Sequence, residues 1–187
     1  MNNKSESKSI SGIITPENRI DVFVEFIKEA STNLPNDVVD ALQRQQKVEK
    51  QGSQAQQALD IVLQNIQMAC EKSTPICQDT GTVIFNIHYP KGESTLDLKK
   101  QLTRAVIIAT DKGYLRPNSM DSITGENPGD NTGIGLPSFF FDEHESDDLK
   151  IQIMLKGGLN TYCIQRGVAD PAHPAGFWWV GLDGSRI

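Results

Sequence analysis

Between Ser53 and Lys72 the segment "SQAQQALDIVLQNIQMACEK" sets Ala55, Ala58, Leu59, Val62, Leu63, Ile66 and Ala69 or Cys70 on one stripe at helical spacing. That is an amphipathic helix, which must lay one face against other apolar surface. Gly52 is the hinge before it, and Pro75 lies just beyond its end. From Thr82 the segment "TVIFNIHY" is made of β-formers, so the chain has to change from helix to strand within a few residues. The fold is therefore mixed. The switch itself carries Cys77, Gln78 and Asp79 on consecutive positions, with Gly81 just past them.

The rest of the chain follows the same mixed logic. Residues 1–18 are polar and Ser-rich and read as a flexible lead-in. From Asp21, Val22, Phe23, Phe26, Ile27 and Ala30 recur at helical spacing until Asn33 to Pro35, and Asn36 or Asp37 is placed to cap a second helix with Val38, Val39 and Leu42 on one face. Ser94 or Thr95 opens a helix that Gly113 stops. The following stretch, "LRPNSMDSITGENPGDNTGIG", is a long polar loop, and loops of that length in a small domain are usually functional or disordered. "LPSFFFDEH" and "DLKIQIMLK" then read as two strands joined by "ESDD", an expected antiparallel hairpin. These elements predict an α+β fold, with N-terminal helices packed on a small mixed or antiparallel sheet. No internal repeat is visible.

Composition narrows the functional classes. A chain of 187 residues has room for one domain and needs no disulfide staples. Its net charge of -6, with scattered Lys and Arg, argues against a nucleic-acid partner. No apolar run approaches the roughly 20 residues of a membrane span, and the three cysteines, Cys70, Cys77 and Cys163, form no CxxC pair. The expectation is a soluble protein of a reducing cytoplasm.

Three places carry possible chemistry. At Cys77 the residues leave open a buried structural thiol, a nucleophile or a metal ligand. Gln78 and Asp79 beside it are costly to bury unpaired, which marks the turn as a site without naming its kind. Arg116, held before Pro117 and followed by the loop donors Asn118 and Ser119, suits bidentate capture of a carboxylate, although pairing with a local acid such as Asp121 is equally open. Gly157 and Gly158, directly after a strand, make either a tight turn or a place where a ligand approaches backbone amides, and Lys156 before them reads as solvated.

Taken in order, "PICQDTGT", "KGYLRPNSMDSITGENPGDNTG" and "MLKGG" resemble the N-terminal, or alpha, region of class I fumarases and of two-subunit tartrate dehydratases, over roughly residues 20 to 158. The resemblance implies a hydro-lyase that adds water to fumarate to give (S)-malate, using a 4Fe-4S iron-sulfur cluster held by three cysteines with one iron open to substrate. It implies that Cys77 is a cluster ligand, that Gln78 and Asp79 contact substrate with Asp79 the proton-transfer group, that Arg116 binds a substrate carboxylate, and that Gly157 and Gly158 face substrate. It also implies a small dicarboxylate or hydroxy-acid as ligand, and a homo-oligomer or a beta-type subunit as partner.

After Gly158 the pattern departs. Residues 159–187, "LNTYCIQRGVADPAHPAGFWWVGLDGSRI", lack the family's further glycine-rich and Cys-Pro-Pro motifs, and Cys163 is a weak substitute for a second ligand. The domain expected is thus 19–158 with a divergent tail. Three readings follow from it: a truncated or frameshifted hydratase region, a subunit completed by a beta-type chain, and a non-catalytic dicarboxylate-binding fragment.

Overall fold

The computed structural model describes residues 18–78, 80–121, 124–145 and 147–156, with the backbone of 179–181. In chain order the elements are α1 (Arg19–Thr32), α2 (Asn36–Val48), α3 (Gln54–Lys72), β1 (Thr82–Pro90), α4 (Thr95–Asp111), β2 (Ser138–His144), β3 (Lys150–Lys156) and β4 (Trp179–Gly181). The architecture is α+β, with helices on a four-stranded mixed sheet of order β2-β1-β3-β4.

Local chemistry sets the helix ends. Ser53 and Ser94 accept the amides of Gln56 and Asp97 at 3.2 Å and so cap α3 and α4. At α2 the N-cap position is held by Pro35, and Asn36 is the first helical residue. The C-termini of α3 and α4 close alike. Ser73, at φ 52°, and Gly113, at φ 76°, take the left-handed conformation, and the next residue bonds back to the helix, Thr74 to the Ala69 carbonyl at 3.0 Å and Tyr114 to the Ala109 carbonyl at 2.9 Å. This is the Schellman closure, which satisfies the last carbonyls and turns the chain sharply away. Both loops singled out in the sequence leave from such an end.

The core lies between the sheet and α1 with α4. Phe23, Val24, Phe26 and Ile27 of α1 and Leu98, Leu102, Ala105, Val106 and Ala109 of α4 cluster with Val83, Phe85 and Ile87 of β1 and Ile151, Ile153 and Leu155 of β3. Period-2 alternation on the strands meets the helical stripes, as the sequence pattern requires. Phe85 stacks on Phe139 of β2 with ring centroids 5.5 Å apart.

The expected hairpin of β2 and β3 does not form. Strand β1 lies between them, parallel to β2 and antiparallel to β3. His144 at the end of β2 is level with Pro90 of β1, while Lys150 at the start of β3 is level with His88. The acidic link therefore steps over the end of β1. Phe85 and Ile87 of this central strand are fully buried in the cluster with α1 and α4.

The stripe of α3 is only half used. Ile66 and Ala69 are buried, whereas Val62 remains 42% exposed and Ala55 and Ala58 are exposed. Helix α2 buries no residue and packs chiefly on α3. Lys28 of α1, whose pKa is raised chiefly by its hydrogen bond to Glu25, reaches over the Tyr114 ring at 5.4 Å and ties α1 to the turn before Arg116. No described helix is long and apolar enough to cross a membrane.

Candidate functional site

The end of α3 hands the chain to a buried Pro75 and then to Ile76, whose backbone is held on both sides. Its amide donates to the Ser31 carbonyl at 3.0 Å, and its carbonyl accepts the Asn65 side-chain amide at 2.8 Å. A backbone fixed in this way presents the next two residues, Cys77 and Gln78, at the surface, where both side chains are exposed. The buried-thiol reading of Cys77 is thereby corrected, because the turn that Ile76 anchors faces outward.

The end of α4 delivers the second loop. Leu115 is buried and Arg116 is exposed, and three hydrogen bonds lace this loop to the first. The Arg116 amide donates to Thr80 Oγ1 at 3.2 Å. Asn118 Nδ2 donates to the Gln78 carbonyl at 2.6 Å. Ser119 Oγ donates to the Gly81 carbonyl at 2.8 Å and lies 3.5 Å from Thr82 Oγ1. Asn118 and Ser119, read from sequence as loop donors, thus spend donors on the backbone of the neighbouring loop.

Gly81 is the point of closest approach. A Cβ there would stand 2.7 Å from the Arg116 carbonyl and 2.8 Å from Asn131 Oδ1, and would overlap Asn118 Oδ1 outright. Only glycine allows the loops to close this far. The requirement is one of space.

Arg116 has its guanidinium at the surface and forms no ion pair with Asp121 among the described residues. The carboxylate of Asp121 instead accepts the amides of Thr124 at 2.9 Å and Ile134 at 3.3 Å, which organises the long loop. Among the described residues the local pairing of Arg116 with Asp121 is therefore not made, and Arg116 is exposed. Lys156, expected to be solvated, is 9% exposed. It lies opposite Thr82 in the sheet register, next to Gly81, because β3 runs antiparallel to the start of β1.

The structure therefore brings Cys77, Gln78 and Arg116 into one pair of laced loops. Asp79, Gly157 and Gly158, with Cys163, lie outside the described residues. Among the described residues no three His, Cys, Asp or Glu side chains converge on a metal-sized site. The two described cysteines, Cys70 and Cys77, fall short of the three that would hold a four-iron cluster, so further ligands would come from beyond the described residues. Sequence reasoning missed Asn131. Its signal was an asparagine in "PGDN", a residue type that tolerates the left-handed conformation it adopts here at φ 61°.

A family model described as fumarate hydratase (Fumerase) matches residues 20–164. A Geobacillus stearothermophilus protein assigned as a class I fumarate hydratase is 44% identical over 134 residues, 72% of this chain and 26% of its own length. The L(+)-tartrate dehydratase subunit alpha of Escherichia coli K12 is 33% identical over 140 residues, 74% of this chain and 46% of that one. A Methanocaldococcus jannaschii protein assigned as the same subunit is 33% identical over 138 residues, covering 72% and 48%. The chain thus spans from about a quarter to about half of the length of these relatives.

Proposed function

The chain belongs to the fumarate hydratase (Fumerase) family, and from that membership we propose that it is the alpha-type region of a hydro-lyase that interconverts fumarate and (S)-malate. The observation that carries the reading is the lacing of the Cys77–Gly81 turn to the Arg116–Ser119 turn through Thr80, Gln78 and Gly81. It holds a surface arginine in fixed register with the cysteine turn, as a dicarboxylate site requires.

In this reading Arg116 grips one substrate carboxylate through paired N–H donors, which sets the orientation of the carbon chain. Gln78 supplies a hydrogen bond at the second polar end. Asp79 moves the proton at the carbon beside the carboxylate, while Gly157 and Gly158 let the substrate approach backbone amides. The proposal includes an iron-sulfur cluster in the complete enzyme, for which Cys77 would give one thiolate and the other ligands would come from beyond the described residues. It also includes a domain of residues 19–158 with 159–187 as a tail, a cytoplasmic setting, a place in the tricarboxylic acid cycle and a dimeric assembly.

A second reading has its own support. The chain is 33% identical over 138 and 140 residues to tartrate dehydratase subunits named alpha. That similarity is the basis for an arrangement in which a beta-type subunit completes the site. The chain should be isolated under argon from its own cell with any chain it holds, then assayed for fumarate hydration and L(+)-tartrate dehydration. Fumarate turnover together with bound iron supports the first reading, and tartrate turnover supports the second. Turnover of neither substrate with no iron and no partner overturns both.

A further inference from the structure

Asn131 lies at the junction of three segments that are distant in sequence. It is 1% exposed, and its side chain makes three hydrogen bonds. Nδ2 donates to Thr110 Oγ1 in the last turn of α4 at 3.0 Å and to the Arg116 carbonyl at 2.9 Å. Oδ1 accepts the amide of Ser119, itself fully buried, at 3.1 Å. Both amide hydrogens and the carbonyl oxygen are used, so the group has one orientation. Thr110 is in turn fixed through its donation to the Val106 carbonyl at 2.8 Å.

We propose that Asn131 is a positioning residue for the substrate-binding arginine: it clamps both ends of the Arg116–Ser119 turn to α4 and presses that turn onto Gly81. Other bonds also shape the turn, from the Asn118 amide to the Arg116 carbonyl at 2.9 Å and from Asn127 Nδ2 to the Pro117 carbonyl at 2.7 Å. Asn131 adds the link from both ends of the turn to α4. The clamp fixes where the backbone of Arg116 sits, and therefore the volume its guanidinium sweeps. The Oδ1 that receives Ser119 is also one of the atoms 2.8 Å from the place where a Gly81 side chain would begin. One amide thus registers the arginine loop against the cysteine loop. The catalytic consequence rests on Arg116 binding a substrate carboxylate; the structural part does not.

The test compares the 187-residue chain with Asn131→Asp, Thr110→Val and Thr110→Ser. Asn131→Asp keeps the size, the left-handed tolerance and the acceptor for Ser119, but replaces both donors with an acceptor facing the Arg116 carbonyl. Hydrogen exchange read by mass spectrometry should rise in Asn131→Asp over residues 114–121 and 76–82, with α2 and α3 unchanged. Thr110→Val should give the same pattern more weakly, and Thr110→Ser should match the wild type. In the holoenzyme isolated with its partners, Asn131→Asp should raise KM for fumarate about tenfold with a smaller change in kcat, as a misplaced binding group does. Unchanged exchange at 114–121 in both Asn131→Asp and Thr110→Val overturns the clamp. Should exchange rise while Arg116→Ala itself leaves KM unaltered, the carboxylate role of Arg116 is what fails.

Discussion

The side-chain amide of Asn118 donates to the backbone carbonyl of Gln78 at 2.6 Å, across forty positions of sequence. That bond joins the two loops which, in the proposed function, bind opposite ends of one small acid. Asn118→Ala removes it and leaves the Gln78 carbonyl to water. The expected cost is about 1 kcal/mol, the net worth of an ordinary hydrogen bond. Urea denaturation measures this directly, and the midpoint should fall with little change in slope.

Gly81→Ala should be much more harmful than its single methyl suggests. The added carbon meets the Arg116 carbonyl at 2.7 Å, and backbone cannot swing aside as a flexible side chain would. Overpacking of this kind costs about 1–3 kcal/mol, occasionally more. Gly52→Ala is a useful comparison, because nothing stands within 4 Å of a Cβ there and its cost comes from a φ of 75°. That penalty is about 1–2 kcal/mol. The distinguishing readout is hydrogen exchange at 114–121, which should rise in Gly81→Ala and stay unchanged in Gly52→Ala.

Phe85 is fully buried on β1 and stacked on Phe139. Phe85→Ala should cost about 3–5 kcal/mol, through lost transfer energy and an unfilled cavity. A polar change on the open side of α3, Ile61→Gln, should stay within about 0.5 kcal/mol. Thermal unfolding of the two variants checks whether the core lies where α1, α4 and the sheet meet.

The sequence carried local structure well and long-range pairing poorly. Ser94 and Gly113 announced helix ends that the structure keeps, because caps and left-handed stops are decided by a few adjacent residues. The partners of β2 and β3 were not legible. A short acidic link between two strands looks like a hairpin turn, and nothing within it reports that β1 separates the pair. The cysteine and arginine loops were recognisable by residue type, yet their contact was hidden. It depends on Thr80, Asn118, Ser119 and Asn131, ordinary loop residues whose partners lie 12 to 40 positions away. Burial of Lys156 was missed for the same reason, since only the register with Thr82 places it beside Gly81.

The central claim is that the two laced loops form one half of a hydro-lyase site for a dicarboxylate. It is tested most directly by fumarate–malate interconversion, measured under argon on the holoenzyme isolated with wild-type, Cys77→Ala and Arg116→Ala chains. The account predicts turnover by the wild type, none by Cys77→Ala, and a KM raised about tenfold to hundredfold in Arg116→Ala, the worth of a charge-assisted hydrogen-bond pair. Wild-type kinetics in either variant would contradict it.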